Sequence, residues 1–223
     1  MTARRGLAAF DMDGTLLDGR FVYTLARTAD VEKQVLRIHS SLQPGYQQTK
    51  EIGALFAGLS ESEFTTAAES IPLARNCERV ISEFKRSGFV TGIISDSYTI
   101  VANRIARTLG MDFASANELE FIDGRSTGKV SMPMGWEKIG CTCNLSVCKR
   151  YHLEKHSKEF LVPITLTLAV GDTKSDVCMI RRAGLGVAFM PKDKQVRASS
   201  AYVVDTGDFA DLLPFVGALE KVS

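Results

Sequence analysis

The chain has 223 residues, enough to bury a sizeable core, with 27 Lys and Arg against 26 Asp and Glu. A formal net charge of +1 argues against an extended nucleic-acid or anionic-membrane surface, because such surfaces usually show a basic excess. No apolar run approaches the ~18 residues of a membrane span, and Leu7–Phe10 is too short for a signal peptide core. We therefore expect a cytoplasmic globular protein without nucleic-acid or membrane partners.

Five short apolar runs predict the strands of a parallel sheet, because their nearly continuous hydrophobicity suits strands that are covered on both faces. In chain order they are Leu7–Phe10, Phe89–Ile94, Leu166–Val170, Leu185–Met190 and Tyr202–Val204. Helical periodicity lies between them, and the predicted helices end at Gly88, Gly110 and Gly184. This alternation predicts a doubly wound, Rossmann-like α/β core.

One long interval between the first two runs carries only helical patterns, including a capping-box start at Ser60–Glu63. An insertion directly after the first strand would lie over the carboxyl ends of the strands, where α/β folds bind ligands. We therefore expect a small helical cap at residues 18–73, inserted into a core of residues 1–17 and 74–223. A smaller excursion is the hairpin predicted for Phe121–Val130 around its Asp-Gly turn.

Two acidic segments directly follow predicted strands: Asp11 and Asp13 follow the first run, and Asp172 and Asp176 follow the third. Carboxylates so close together repel each other, and a hard cation such as Mg²⁺ would offset that repulsion. Either pair alone could consist of turn or helix-capping aspartates. Because parallel strands end at one edge of a sheet, finding both pairs after strands favours a shared site.

Four motifs in order resemble the haloacid dehalogenase (HAD) superfamily, and especially its phosphoserine phosphatase-like subgroup, from about Gly6 to Val216. They are Asp11-x-Asp13-x-Thr15, Ile93-Ile-Ser95, the segment from Cys148-Lys149 to Lys155, and Gly171-Asp172-x-x-x-Asp176. The resemblance implies a HAD-like core with a cap, and a Mg²⁺-dependent phosphatase acting on a small phosphorylated metabolite, with phosphoserine among the candidates.

The resemblance also assigns the reaction chemistry to particular residues. Asp11 would attack phosphorus to form an aspartyl-phosphate, and Asp13 would protonate the leaving oxygen and then act as base. Mg²⁺ would be held by the Asp11 carboxylate, the Asp13 backbone carbonyl and Asp172. Haloalkanoate dehalogenases of the superfamily lack the second aspartate, so Asp13 favours phosphate chemistry.

Further residues are assigned to phosphate binding and support. The family pattern gives phosphate binding to Ser95 and Lys149. Asp176 would position Asp172 or a metal-bound water, or orient Lys149, and Thr15 would support the first motif. Without the family pattern, Ser95 reads as a turn serine and Lys149 as a solvated helix lysine.

Residues around the organic part of the substrate depart from the phosphoserine phosphatase pattern. Arg20 stands where a glutamate usually pairs with the substrate ammonium, and a cation there would favour another anion. Asp96 replaces a common glycine and could bind an ammonium or hydroxyl group, or cap a helix starting near Ser97. Lys50 or Glu51 falls where a carboxylate-binding arginine is expected. The substrate is therefore left open.

Several alternatives remain at this point. The same nucleophile would serve a phosphotransferase or phosphomutase, and a fold without catalysis could bind a phosphate ligand. Cys141, Cys143, Cys148 and His152 could form a tetrahedral zinc site or a redox module. The paired C-x-x-C spacing is absent, however, and reduced free thiols are the simpler reading. The sequence is compatible with a monomer or a homodimer.

Overall fold

A seven-stranded sheet forms the centre of the molecule. The computed structural model describes residues 4–218, so the ends of the predicted core at 1–3 and 219–223 lie outside the described residues. The strands are β1 (Gly6–Phe10), β2 (Phe89–Tyr98), β3 (Phe113–Ile122), β4 (Arg125–Ser131), β5 (Thr167–Gly171), β6 (Leu185–Phe189) and β7 (Tyr202–Val204). All five predicted strands are present within the described part of the chain.

The strand order β4-β3-β2-β1-β5-β6-β7 places β1 between β2 and β5. Both neighbours run parallel to β1, with Leu7 opposite Val90 on one side and Thr167 on the other. Only β3 and β4 pair antiparallel among the named strands of residues 4–218. The carboxyl ends of β1, β2 and β5 therefore lie together at one edge, and the predicted α/β class with a largely parallel sheet is confirmed.

Helices cover the sheet and fill the connections between its strands. They are α1 (Phe21–Thr28), α2 (Glu32–His39), α3 (Gly45–Leu55), α4 (Glu61–Glu69), α5 (Cys77–Arg86), α6 (Thr99–Thr108), α7 (Trp136–Ile139), α8 (Lys149–Glu159), α9 (Val177–Arg182), α10 (Lys194–Ser199) and α11 (Pro214–Ala218). Short 3₁₀ turns occupy Ile164–Leu166, Lys174–Asp176 and Phe209–Leu212. Within residues 4–218, no helix has the length and apolar character to cross a membrane.

Alternate residues of β1 enter two hydrophobic clusters on opposite faces of the sheet, as the two-residue period of a strand requires. Ala8 and Phe10 belong to a cluster that includes residues of α5 and α6. Leu7 and Ala9 belong to a second cluster with residues of α8, α9 and α10. All five residues of β1 are buried, which explains why its sequence is continuously apolar.

The segment between β1 and α5 forms α1 to α4 and contains no strand, and all of it lies within the described residues. Ser60 and Glu63 make the expected capping box at the start of α4, with Ser60 Oγ accepting from the Glu63 amide at 3.3 Å. Phe64 of α4 packs against Tyr98 and Phe121, whose rings lie 6.1 and 5.4 Å away. These helices therefore pack on the hairpin side of the sheet, while the cap boundaries at 18–73 stay a prediction.

Two details differ from the sequence prediction. The second strand continues to Tyr98, and α6 starts at Thr99, so the Asp96 side chain does not cap that helix. The sequence prediction also missed the first part of β3, before the hairpin, because its inner residues are polar. Ser115 and Asn117 are such residues, and their side chains bond to the His156 ring at 2.8 Å and the Asp96 carbonyl at 2.7 Å. Polar residues can occupy a covered strand when each has a partner.

Candidate active site

The loop after β1 places two carboxyl groups at the edge of the sheet. Asp11 is buried, and its Oδ1 accepts a hydrogen bond from the Met12 amide at 2.7 Å. Asp13 Oδ1 accepts from the amide of Phe21, the first residue of α1, at 2.5 Å. The positive end of a helix therefore faces Asp13.

Gly14 lets this loop approach the end of β5. Its φ of 78° lies in the left-handed region that favours glycine. A Cβ atom at this position would lie 2.3 Å from Asp172 Oδ2. The lack of a side chain at Gly14 therefore allows the Asp11 and Asp172 loops to meet.

The loop after β5 supplies the second pair of carboxylates, Asp172 and Asp176, both fully buried. Asp176 Oδ2 accepts hydrogen bonds from the amides of Asp172 at 3.1 Å and Thr173 at 3.0 Å. Asp172 Oδ2 lies 3.3 Å from Arg20 Nη2, while Asp172 Oδ1 has no hydrogen-bond partner among residues 4–218. Asp176 thus fixes the loop, and Asp172 retains an oxygen for a ligand.

Lys149, the first residue of α8, reaches into this group from the side. Its ammonium lies 2.7 Å from Asp11 Oδ1 and 2.5 Å from Asp176 Oδ1. The side chain is completely buried, so the interpretation of Lys149 as a solvated helix lysine is wrong. A buried ammonium requires such partners, because an unpaired charge in the interior is strongly unfavourable.

Burial and like charge raise the pKa values of the carboxyl groups. Burial raises the pKa of Asp11 well above its usual range, and the nearby Asp176 adds to the rise. Burial also raises the pKa of Asp13 to about 6, and burial with Asp176 raises that of Asp172 to about 7. Burial alone would lower the pKa of Lys149, but Asp11 and Asp176 raise it above its usual value. The group has more acidic than basic side chains, and a cation would favour the charged carboxylates.

The residues fit a divalent metal ion. One carboxylate oxygen from each of Asp11, Asp172 and Asp176 lies within 4.8 Å of the others, and Asp172 Oδ1 lacks a partner among the described residues. Oxygen donors of this kind suit Mg²⁺. Both Asp176 oxygens already accept hydrogen bonds, from Lys149 and from backbone amides, which makes this residue better suited to positioning.

Ser95 and Thr15 lie beside this group. Ser95 is on β2, next to β1, and it is completely buried with its Oγ accepting from the Ser97 amide at 3.1 Å. Thr15 is also buried, and its hydroxyl has no hydrogen-bond partner among residues 4–218. The structure thus brings all four motifs to one edge of the sheet.

A cavity of about 700 Å³ opens over this edge. Asp13, Arg20 and Asp96 line it on the sheet side, and Gln48 lines it from α3. Further lining residues from the helices include Tyr23, His39, Thr49 and Ile52. Lys50 and Glu51 are exposed and do not line the cavity, so neither takes the place of the carboxylate-binding arginine that the family pattern implies.

Sequence reasoning missed two polar residues, Asn117 and Ser146, of which Ser146 lines the cavity. Asn117 of β3 is completely buried, and its amide donates to the Asp96 carbonyl at 2.7 Å and to Ser146 Oγ at 2.9 Å. Thr49 of α3 also bonds to Ser146 Oγ, at 3.1 Å. A lone asparagine and serine carry no local pattern, and only the tertiary fold reveals that they join β2, α3 and the loop before α8.

Comparisons with known proteins agree with this geometry. A family model for haloacid dehalogenase-like hydrolases matches residues 8–181. The phosphoserine phosphatase SerB2 of Mycobacterium tuberculosis is 32% identical over 190 residues, covering 83% of this chain and 44% of that protein. The phosphoserine phosphatase of Methanocaldococcus jannaschii is 29% identical over 220 residues, covering 97% of this chain and 100% of that protein. The chain thus spans less than half the length of the mycobacterial relative.

Solved structures are similar over nearly the whole chain. A phospho-aspartyl intermediate analogue of a phosphoserine phosphatase superposes with a TM-score of 0.82 at 28% identity, covering 96% of this chain and 99% of the other. A substrate-bound phosphoserine phosphatase complex gives a TM-score of 0.82 at 27% identity with the same coverage. The family model, the relatives and the solved structures thus agree on the fold.

Proposed function

The chain belongs to the haloacid dehalogenase-like hydrolase family, and from this premise we propose that it is a Mg²⁺-dependent phosphatase. It would hydrolyse a small phosphomonoester through an aspartyl-phosphate on Asp11. The observation that carries the proposal is the geometry around Asp11, whose carboxylate lies 2.7 Å from a buried Lys149 beside the cavity that Asp13 lines.

Asp11 is suited to nucleophilic attack because one of its oxygens is already held. Lys149 and the Met12 amide both bond to Oδ1, which fixes the orientation of the carboxylate. Oδ2 is the oxygen proposed to attack phosphorus, splitting one difficult displacement into two easier steps. Holding the nucleophile in this way reduces the entropy lost on the way to the transition state.

Asp13 is suited to the two proton transfers. Burial raises its pKa to about 6, so a useful fraction is protonated near neutral pH and can donate to the leaving oxygen. The resulting carboxylate can then accept a proton from the water that hydrolyses the aspartyl-phosphate. The Phe21 amide bonds to Asp13 Oδ1 at 2.5 Å and holds the group toward the cavity.

The remaining motif residues would bind the phosphoryl group. Lys149 supplies a fixed positive charge and Ser95, within β2, a hydroxyl. Asp11, Asp172 and the Asp13 carbonyl would hold Mg²⁺, which would neutralise phosphate charge when bound. Asp176 positions Lys149, since its Oδ1 accepts from the ammonium at 2.5 Å.

The substrate is proposed to be a small phosphorylated metabolite held in the cytoplasm. Free cysteines throughout the described residues suit a reducing compartment. The relatives named above are phosphoserine phosphatases, which makes phosphoserine the first substrate to test. Arg20 and Asp96 both line the cavity and offer opposite charges, so a zwitterionic metabolite is compatible with it.

The test is phosphate release from a panel of phosphomonoesters with purified protein and MgCl₂. The panel includes phosphoserine, phosphohomoserine, glycerol phosphates and phosphoglycolate, and Asp11→Asn is the matched inactive control. We expect Mg²⁺-dependent release from at least one ester by the wild type and none by the variant. Absence of release from every ester would overturn hydrolysis, and transfer to an added alcohol in excess of release to water would assign a phosphotransferase.

A further inference from the structure

Four of the five cysteines meet beside the catalytic residues. Cys141 and Cys143 lie in the loop between α7 and α8, Cys148 directly precedes α8, and Cys178 is in α9. Their sulfur atoms all lie within 4.8 Å of one another, and all four are free thiols. His152 is not part of this group, because Cys178, from a distant segment, takes the fourth position that the sequence analysis gave to the histidine.

We propose that this group, called here the thiol cluster, binds one zinc ion as a structural site. Zn²⁺ bound by cysteines prefers four sulfur atoms at about 2.3 Å in a tetrahedron, which sets the sulfurs about 3.8 Å apart. The distances between the sulfurs of the thiol cluster need to shorten by about 1 Å or less to reach that arrangement. Iron–sulfur clusters bind cysteines through different iron atoms, and the sulfurs on different irons lie farther apart than those on a single ion. Four protein ligands leave no open position for substrate, which is typical of structural zinc.

Backbone amides lie around the thiol cluster in positions that stabilise negatively charged thiolates. Three of the four sulfurs have a backbone N–H group nearby that favours the charged thiolate. These groups are the amide of Leu145 beside Cys143, that of Tyr151 beside Cys148 and that of Arg150 beside Cys178. Arg150 and Tyr151 belong to the first turn of α8, where amides have no partner within the helix and the helix dipole favours negative charge. Hydrogen bonds from such groups orient metal ligands and tune their affinity.

The charges around the thiol cluster also suit a zinc tetrathiolate, which carries a net charge of −2. The cluster borders a cavity of about 600 Å³ that opens to solvent and gives an ion a route to the sulfurs. Cationic side chains line the same cavity: Arg150, Lys174, Arg181 and Arg182, of which Arg150 and Arg182 share Glu154 as a partner. They would offset the negative charge of four thiolates on one cation.

The position of the thiol cluster gives the metal a role in the architecture. Lys149 follows Cys148 directly, and Asp176 lies two residues before Cys178. Leu145 and Ser146, within the loop that carries the first two cysteines, line the large cavity over the sheet edge. Zinc would therefore tie together the start of α8, the loop after β5 and one wall of that cavity.

Metal analysis of the full chain, purified under reducing conditions from zinc-supplemented medium, tests the proposal. We expect one zinc ion per chain in the wild type and at least a tenfold lower content in Cys178→Ala and Cys141→Ala. Cys77→Ala is the matched control, because Cys77 lies in α5 and outside the thiol cluster, and it should keep its zinc. We also expect Cys178→Ala to unfold about 5–10 °C below the wild type.

Cobalt substitution gives a second readout that needs no turnover, so its outcome is independent of the proposed phosphatase activity. Chelator-stripped, reduced wild type reconstituted with CoCl₂ should show sulfur-to-cobalt charge transfer and the ligand-field bands of a tetrahedral thiolate site. If Cys178→Ala does not fold, Cys141→Ala should still lose these bands. Wild type that holds no stoichiometric zinc and gives no such spectrum overturns the proposal. A disulfide joining two of the four cysteines in freshly purified protein also overturns it.

Discussion

Asp13 is positioned to serve both the fold and the proposed reaction. Its carboxyl group accepts from the Phe21 amide at the start of α1 and lines the cavity. Burial in the loop after β1 raises its pKa to about 6. An asparagine at this position would keep the hydrogen bond to Phe21 but could not transfer a proton.

Asp13→Asn should therefore fold normally and lose the proton-transfer steps. We expect kcat on alkyl phosphates to fall by about 10² to 10⁴-fold. The rate of aspartyl-phosphate formation should fall less with p-nitrophenyl phosphate, because its leaving group needs no proton. Stopped-flow absorbance should then show a burst of p-nitrophenolate followed by slow turnover. Equal losses on both substrates, with no burst, would contradict the assignment of Asp13 as the acid and base.

Features that depend on partners distant in sequence were the hardest to predict. The buried strands and the capping box of α4 follow from local patterns, and both are confirmed. The first part of β3 was missed because Ser115 and Asn117 find their partners on α8 and β2, which are distant in sequence. Cys178 was missed for the same reason, since it joins three cysteines about thirty residues earlier only in the fold.

Helix α8 should make the stability of the protein depend on pH through His152. Burial lowers the pKa of His152 to about 4, below its value near 6.5 in an unfolded chain. Between these two pH values the unfolded state binds more protons than the folded state. The free energy of unfolding that His152 contributes above pH 6.5 is therefore lost as the pH falls. At pH 5.5 this amounts to about 1 kcal/mol.

The raised pKa values of Asp13 and Asp172 make the protein more stable as the pH falls over the same range, which opposes the effect of His152. A variant of His152 is therefore needed to separate the two effects. Urea unfolding at pH 7.5 and 5.5 should show that His152→Leu loses less stability on acidification than the wild type. If the free energy of unfolding changes as much between the two pH values in His152→Leu as in the wild type, His152 is not the cause of the pH dependence.

At the scale of the whole molecule, the first, second and fourth motif segments meet because β1 lies between β2 and β5. The third motif joins them through Lys149 of α8, which pairs with Asp11 and Asp176. Parallel topology and the shared edge could be predicted from apolar runs and from motif order. The shape of the cavity could not, because Arg20 and Gln48 reach it from the connection between β1 and β2, and Ser146 from the connection between β4 and β5. Contacts between side chains of different connections depend on the packed structure, so the local sequence pattern does not reveal them.

A ligand that binds only the folded molecule stabilises it by mass action. We expect 10 mM MgCl₂ to raise the Tm by about 3–6 °C if its Kd is about 1 mM. Asp172→Asn should remove this rise, and Asp205→Asn should keep it, because Asp205 pairs with Arg197 at the surface. Thermal unfolding with and without MgCl₂ measures both, and a rise that persists in Asp172→Asn would place the ion elsewhere.

The central position of β1 also has a consequence for folding. Leu7 pairs with Val90 and with Thr167, so the two ladders of β1 close loops of very different length. Contacts distant in sequence form slowly, because chain entropy must be lost before they contribute. Asp11 and Asp172 can meet only after β5 has been synthesised and the longer loop, between β1 and β5, has closed. Asp11, the proposed nucleophile, is therefore synthesised early, but the proposed site is complete only after β5 has paired with β1.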